Sequence, residues 1–299
     1  MSDSQHTNRP RVYLVDGTYE LFRHFFAIPS AKSADGTEVA AVRGVLASVI
    51  LLLRDDVTHI AVATDHVVES FRNGMWPGYK TGAGIDPELH AQFPILEEAL
   101  ALLGVVVWPM TEYEADDALA AGAAQAAEYA EQVLICTPDK DLAQCVVGDH
   151  VVQFDRRARR MINEHGVVAK FGVQPTSIPD YLALVGDSAD GFPGLPGWGA
   201  KSAAAVLAKF IRIEAIPDEA AAWGVAVRSA ASLAATLVEQ RDLAMLFKDL
   251  ATLRTDLPID ASVEALRWRS PRREFKKFSE HLGAPELAEQ VEVVAEARR

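Results

Sequence analysis

Nine carboxylates in this chain fall at the ends of short apolar runs or at the starts of helical stretches, where side chains from distant segments can be gathered. Asp16 closes Tyr13-Leu-Val-Asp16, and Asp65 closes Ile60-Ala-Val-Ala-Thr-Asp65. Glu114-Ala-Asp116-Asp117 opens an Ala-rich stretch, with Glu114 and Asp117 sharing a helical face at i,i+3. Asp139-Lys-Asp141 follows the run 133–136, and Asp187 and Asp190 form a further i,i+3 pair in Gly186-Asp-Ser-Ala-Asp-Gly191. Converging without cations, these groups would repel one another strongly. Convergence therefore requires metal. Oxygen donors with no His or Cys beside them favour Mg2+ or Mn2+ over Zn2+. Two such ions about 4 Å apart activate water and stabilise a leaving oxygen, so phosphodiester hydrolysis is the natural chemistry. Taken alone, the 114–117 segment reads first as helix capping, because negative charge suits a helix N-terminus. An EF-hand reading of 187–191 fails for want of alternate-position ligands and a closing Glu.

These acids act together only if the fold brings them to one edge. Between residues 11 and 155, β-branched runs at 12–15, 59–64, 105–108, 133–136 and 151–154 alternate with amphipathic stretches near 40–54, 90–103 and 114–129. That βαβ pattern predicts a mostly parallel central sheet flanked by helices. Ligands in such sheets gather beyond the carboxyl ends of the strands, where Asp16 and Asp65 are expected. After about residue 170 the strand signals stop, and the Pro/Gly-punctuated segment 190–199 leads into Ala-rich helical sequence through about 250. The expected organisation is a catalytic domain at 1–170, a helical domain at 171–265 and a C-terminal helical tail at 266–299.

A net charge of −13 is unusual for a protein that approaches phosphates, but nine of the acids belong to the proposed site, where divalent ions would offset them. Two basic clusters read either as nucleic-acid contacts or as solvated surface. One is Arg156, Arg157, Arg159 and Arg160; the other is Arg267, Arg269, Arg272, Arg273, Lys276 and Lys277, with Trp268 and Phe275 between them. Gly194-Leu-Pro-Gly197-Trp-Gly199-Ala-Lys201 reads as a hairpin between two helices. Its glycines let the backbone approach a ligand, the next helix offers free N–H groups, and Lys201 adds a point charge, which suits one strand's phosphates. Arg23, Arg72, Tyr79 and Lys80 lie close in sequence to the first two acids and are candidate phosphate contacts. His24 and His66 read as packing or surface residues. Cys136 and Cys145 have no metal-ligand spacing and suit a reducing compartment. Neither an apolar span of membrane length nor, within 1–10, a signal peptide is visible, so a cytoplasmic location is expected.

With these residues assembled, the chain resembles the 5′-nuclease family that includes the N-terminal domain of bacterial DNA polymerase I, phage 5′-exonucleases and flap endonucleases. Val15-Asp16-Gly17, Phe71-Arg72 with Tyr79-Lys80, Glu114-Ala-Asp116-Asp117, Thr137-Pro-Asp139-Lys-Asp141, Gly186-Asp187-Ser-Ala-Asp190 and Pro193-Gly-Leu-Pro-Gly-Trp-Gly-Ala-Lys201 follow the family's order and approximate spacing over about 11–260. The resemblance implies a PIN-like 5′-nuclease domain followed by a helix-hairpin-helix domain. It further implies that Asp16, Asp65, Glu114, Asp116 and Asp117 serve a first metal and Asp139, Asp141, Asp187 and Asp190 a second. Asp16 and Asp116 would act in catalysis with Lys80 and Arg72, Lys80 starting a helical arch and contacting the reacting phosphate. Arg23, Tyr79, Gly194, Gly197, Gly199 and Lys201 would contact DNA, with K+ often bound at the hairpin. The expected protein is a stand-alone monomer hydrolysing 5′ ends or flaps of DNA by a two-metal mechanism. The sequence departs from the family after Lys80, where a His-Arg-Pro-Pro-like stretch gives way to Thr81-Gly-Ala83-Gly-Ile-Asp86 and the usual arch arginine is Ala83. Pro138 replaces a usual Gly, and Gly191-Phe192 a usual Asn-Ile. Two rivals remain: a PIN-type ribonuclease, disfavoured by the helical domain with Lys201, and a junction-binding protein that has lost cleavage, disfavoured by retention of all nine acids.

Overall fold

A computed structural model describes residues 9–299. Met1–Asn8, on which most of the signal-peptide reading rests, lie outside the described residues. Contacts divide the chain into two compact units, each discontinuous in sequence. The first comprises the described part of Met1–Val68, then Ala83–Thr137 and Thr255–Arg299; the second comprises Glu69–Gly82 and Pro138–Arg254.

In chain order the first unit begins with β1 (Arg11–Asp16), α1 (Gly17–Ala27), α2 (Ala40–Arg54) and β2 (His59–Asp65). It continues with α3 (Pro87–His90), α4 (Gln92–Leu102), β3 (Val106–Met110), α5 (Ala115–Ala126) and β4 (Gln132–Cys136). Its strands run in the order β3-β2-β1-β4 and every pairing is parallel. Parallel strands need cover on both faces, and these read as near-continuous apolar runs for that reason. Val12, Leu14, Val15, Ile60, Ala61, Val62, Ala63 and Val133–Ile135 are wholly buried. The register pairs Asp16 with Ala63 and Asp65 with Met110, so both carboxylates emerge at the carboxyl ends of their strands. Helix α5 packs on β1, β2 and β3, helped by Gly122, where a Cβ would meet the Trp108 ring at 2.6 Å.

The second unit follows with the antiparallel pair β5 (Val151–Asp155) and β6 (Arg160–Ile162), then α6 (Glu164–Phe171), α7 (Ile178–Val185), α8 (Ala200–Phe210), α9 (Ala230–Glu239) and α10 (Arg241–Ala251). Its core gathers Leu182, Leu184, Phe192, Trp198, Trp223 and Phe247, with α7 packed on α8 and α10. The chain then returns to the first unit as α11 (Val263–Leu266), α12 (Phe275–His281) and α13 (Glu286–Ala297). Residues 266–299 are thus integral to that unit. Helix α13 packs on α2, Trp268 N donates to Thr58 O at 2.8 Å, and Arg298 Nη1 donates to Val57 O at 3.1 Å.

The mostly parallel α/β sheet and the helical second part agree with the sequence reading; β6 was not expected. It begins at Arg160, the last arginine of the first basic cluster, and is only three residues long. No helix of the described residues is long and apolar enough to cross a membrane.

Candidate active site

Within the first unit, strand ends and one helix start hold five of the acids. Asp16 caps α1, Oδ1 accepting Tyr19 N at 2.8 Å, while Oδ2 accepts the Thr137 hydroxyl at 2.9 Å. It is 5% exposed. Asp65 is held by its own N–H, which donates to Thr18 Oγ1, and by Oδ1, which accepts Ala115 N at 2.8 Å. Ala115 begins α5, so this bond ties the end of β2 to the start of the helix carrying Glu114, Asp116 and Asp117. Glu114 and Asp117 form a reciprocal capping box, Glu114 N donating to Asp117 Oδ2 at 3.0 Å. Both are buried, at 4% and 0% exposure. The capping reading therefore describes part of what these two residues do.

In the second unit, Asp141, Asp187 and Asp190 each offer a carboxylate oxygen within 4.8 Å of the others, and all three are buried. Among the described residues, this is the set of three that meets that distance. Asp139 stands beside it, with Oδ1 accepting Asp141 N at 2.9 Å. The turn holding Asp187 and Asp190 is closed by Asp187 N to Phe192 O at 2.8 Å and Gly191 N to Asp187 O at 2.9 Å. Burial, together with the charges of Asp139 and Asp190, pushes Asp141 well above the usual carboxylate range, with Lys140 partly opposing this. Two ammoniums offset the cluster. Lys140 Nζ lies 2.5 Å from Asp187 Oδ2 and 3.5 Å from Asp141 Oδ1; Lys80 Nζ lies 3.0 Å from Asp190 Oδ1. Burial alone would lower the Lys140 pKa, but Asp141 and Asp187 outweigh it and hold the ammonium charged. Asp141 Oδ1 is buried and receives no hydrogen bond. An all-oxygen donor set, with Asp141 Oδ1 and Asp187 Oδ2 both short of a hydrogen bond and an ammonium standing between them, fits a hard divalent cation.

The remaining expected contacts divide clearly. Arg72, expected at a phosphate, is fully buried: Nε donates to Leu250 O at 2.8 Å and Nη2 to Thr252 O at 3.1 Å, and the guanidinium stacks on the Phe71 ring at 4.6 Å. Tyr79, expected at DNA, is 4% exposed and belongs to the second unit's core. Arg23 pairs with Glu20 at 2.5 Å. The helical arch expected after Lys80 is absent, since 81–86 is turn and coil and α3 has four residues. Gly82, Gly84 and Pro87 supply the physical reason, because each disfavours helix propagation.

The glycine hairpin joins α7 to α8 as expected. Gly194 has φ +71°, and a Cβ there would sit 2.4 Å from Gly186 N, so backbone packs against backbone. Trp198 anchors the turn, its Nε1 donating to Leu233 O at 3.2 Å. Gly199 caps α8 and Lys201 is exposed in its first turn. Gly197, Gly199 and Lys201 line a cavity of about 590 Å3. In the 267–277 basic cluster the cations are exposed, while Trp268 and Phe275 are core residues rather than contact aromatics. Lys140, to which the sequence reading assigns no role, stands within the acidic cluster.

Comparison with known proteins accounts for this arrangement. The family model for the 5′-3′ exonuclease N-terminal resolvase-like domain matches residues 11–172, and that for the 5′-3′ exonuclease C-terminal SAM fold matches 173–274. The chain belongs to the 5′-3′ exonuclease family. A 5′-3′ exonuclease of Aquifex aeolicus is 32% identical over 262 residues, 87% of each chain. DNA polymerase I of Mycobacterium leprae is 35% identical over 255 residues, which are 83% of this chain and 28% of the polymerase. The chain thus spans less than a third of that relative's length. The bacteriophage T5 flap endonuclease, solved in a pseudo-enzyme-product complex with DNA and metal ions, shares the fold at 19% identity and TM-score 0.66, covering 97% of this chain and all of that one. Membership in the 5′-3′ exonuclease family identifies the chain as a nuclease of the hydrolase class, the activity class read from its acids.

Proposed function

We propose that this chain is a divalent-metal-dependent 5′→3′ exonuclease and structure-specific flap endonuclease that hydrolyses DNA phosphodiester bonds. The carrying observation is the convergence of buried Asp141, Asp187 and Asp190 oxygens within 4.8 Å, in a chain matched by 5′-3′ exonuclease models over 11–274. In this reading Asp139, Asp141, Asp187 and Asp190 hold one ion, and Asp16, Asp65, Glu114, Asp116 and Asp117 hold another; Mg2+ is the preferred occupant and Mn2+ a substitute. Bound divalent ions supply an activated water and stabilisation of the leaving oxygen. The Thr137 hydroxyl orients Asp16, and the α5 N-terminus orients Asp65. Lys80 neutralises charge on the reacting phosphate, a role its partly exposed ammonium permits. The hairpin glycines and Lys201 grip the phosphates of one duplex strand, and K+ at this hairpin would strengthen the grip. The linear organisation proposed is a catalytic domain over 1–170, a helix-hairpin-helix domain over 171–265 and a tail over 266–299. Such an enzyme works as a cytoplasmic monomer.

The test is cleavage of a 5′-flap DNA labelled at either end, by wild type, Asp116→Ala and Asp187→Ala, with Mg2+, Mn2+ or EDTA. Metal-dependent 5′ products lost in both variants support the proposal. A wild type that binds the flap without cutting it overturns the enzymatic reading in favour of a junction-binding protein, and preferential cleavage of RNA favours a PIN-type ribonuclease.

A further inference from the structure

We infer that Lys140 is a built-in counter-cation of the Asp141/Asp187/Asp190 cluster, and that its ammonium must withdraw for a divalent ion to bind. This rests on the metal reading above. Three carboxylates, each more than nine-tenths buried, carry three negative charges, and desolvated like charges destabilise a fold unless compensated. Lys80 offsets Asp190, and the single ammonium of Lys140 is shared between Asp187 and Asp141. Lys140 Nζ stands 2.5 Å from Asp187 Oδ2 and 3.5 Å from Asp141 Oδ1, among the oxygens a metal would take as ligands. A divalent ion binds carboxylate oxygen at about 2.1–2.6 Å and cannot share that space with an ammonium. The lysine stem has an exit: its side chain is 33% exposed, and four rotatable bonds allow the charge to swing to water.

Lys140 therefore has two coupled effects. It keeps the metal-free cluster folded, and it sets the concentration of metal needed to occupy it. An uncharged side chain of similar length should trade one for the other. Asp139 and Asp141 flank Lys140 in the chain, so the displaced ammonium remains tethered beside the ion and can return when the metal leaves.

The experiment has two arms. Wild-type protein is acylated briefly at its lysines with and without Mn2+, and modification is resolved by mass spectrometry, exposed Lys276 serving as reference. Modification of Lys140 relative to Lys276 should rise on adding Mn2+. In parallel, Mn2+ binding is titrated by the loss of the free-ion electron paramagnetic resonance signal for wild type, Lys140→Met and Lys140→Arg. The Met variant should bind about tenfold tighter and melt at lower temperature without metal, with Arg close to wild type. Mn2+ that binds wild type while leaving Lys140 modification unchanged overturns this inference and leaves the metal reading standing. No Mn2+ binding by wild type overturns both. The acylation arm uses only wild type, so it decides the matter even if a variant fails to fold.

Discussion

Arg72 offers the sharpest test of structure against sequence, because its position beside the acids suggests a phosphate contact while its surroundings make it an anchor. Replacing it with Met keeps much of the stem and removes the guanidinium. Two carbonyls, Leu250 O and Thr252 O, then lose a charged donor, and Leu250 is only 1% exposed. An orphaned buried carbonyl costs about 1–3 kcal/mol, and loss of stacking on Phe71 about 1 kcal/mol more. The sum for the buried Leu250 carbonyl and the stacking, roughly 2–4 kcal/mol, corresponds to a fall in Tm on the order of 10 °C for a protein of this size. Urea unfolding followed by tryptophan fluorescence, with Trp76 and Trp198 in the same unit, reads it directly. Below its unfolding transition the variant should retain flap cleavage within a few-fold of wild type. A variant with wild-type stability that has lost cleavage a hundredfold or more would refute the anchoring argument and restore Arg72 to the phosphate.

Further outcomes follow from single contacts. Gly194→Ala places a Cβ 2.4 Å from Gly186 N at φ +71°, with strain of about 1–3 kcal/mol before the clash is counted, and should weaken duplex binding in a nicked-DNA gel-shift assay. Gly199→Ala, with φ −145° and nothing within 4 Å of the added carbon, should leave stability close to wild type in the same urea titration. Asp141→Asn should stabilise the metal-free chain at neutral pH: the raised carboxyl contributes stability below its ordinary range and loses it as pH rises through the folded value, so urea midpoints in EDTA should fall with pH in wild type and stay flatter in the variant. Glu38 runs the other way. Burial works against its charge, but Ser30, the N–H groups of Ala40 and Ala31, and Lys32 pull its pKa from 4.5 to about 2. Its contribution is present above pH 4.5 and disappears as pH falls toward 2, so Glu38→Gln should flatten the acid limb of the stability curve measured by thermal melts.

The strand runs were legible because buried parallel strands must be apolar on both faces, and Asp16 and Asp65 betray their positions by ending such runs. The motif order was enough to point to the family. Arg72 was misleading because its acceptors lie 178 and 180 residues further along the chain, beyond the reach of any local pattern. Trp268 and Phe275 misled in the opposite sense: aromatics between cations look like a nucleic-acid surface, yet alternation put the charges in water and the rings in the core. The grouping of Glu69–Gly82 with Pro138–Arg254 left no local trace either, since it is fixed by contacts such as Trp76 Nε1 to Gly191 O rather than by periodicity. Lys140 was overlooked because spacing arguments weigh ligands and pass over the residue between them.

The return of residues 255–299 to the first unit bears on how the chain acquires its structure during synthesis. Domains tend to fold as units when their residues leave the ribosome, N-terminal parts first. Here all four parallel strands have emerged by residue 136, yet the α2 surface that receives α13 stays bare, and the carbonyls of Leu53 and Val57 lack their arginine, until Arg298 appears. Between those moments the larger segment of the second unit, Pro138–Arg254, is translated. The earliest-made sheet is thus among the last regions to be completed, which leaves the nascent chain with an uncovered apolar helix face, a natural binding site for a chaperone, for more than half the time of its synthesis.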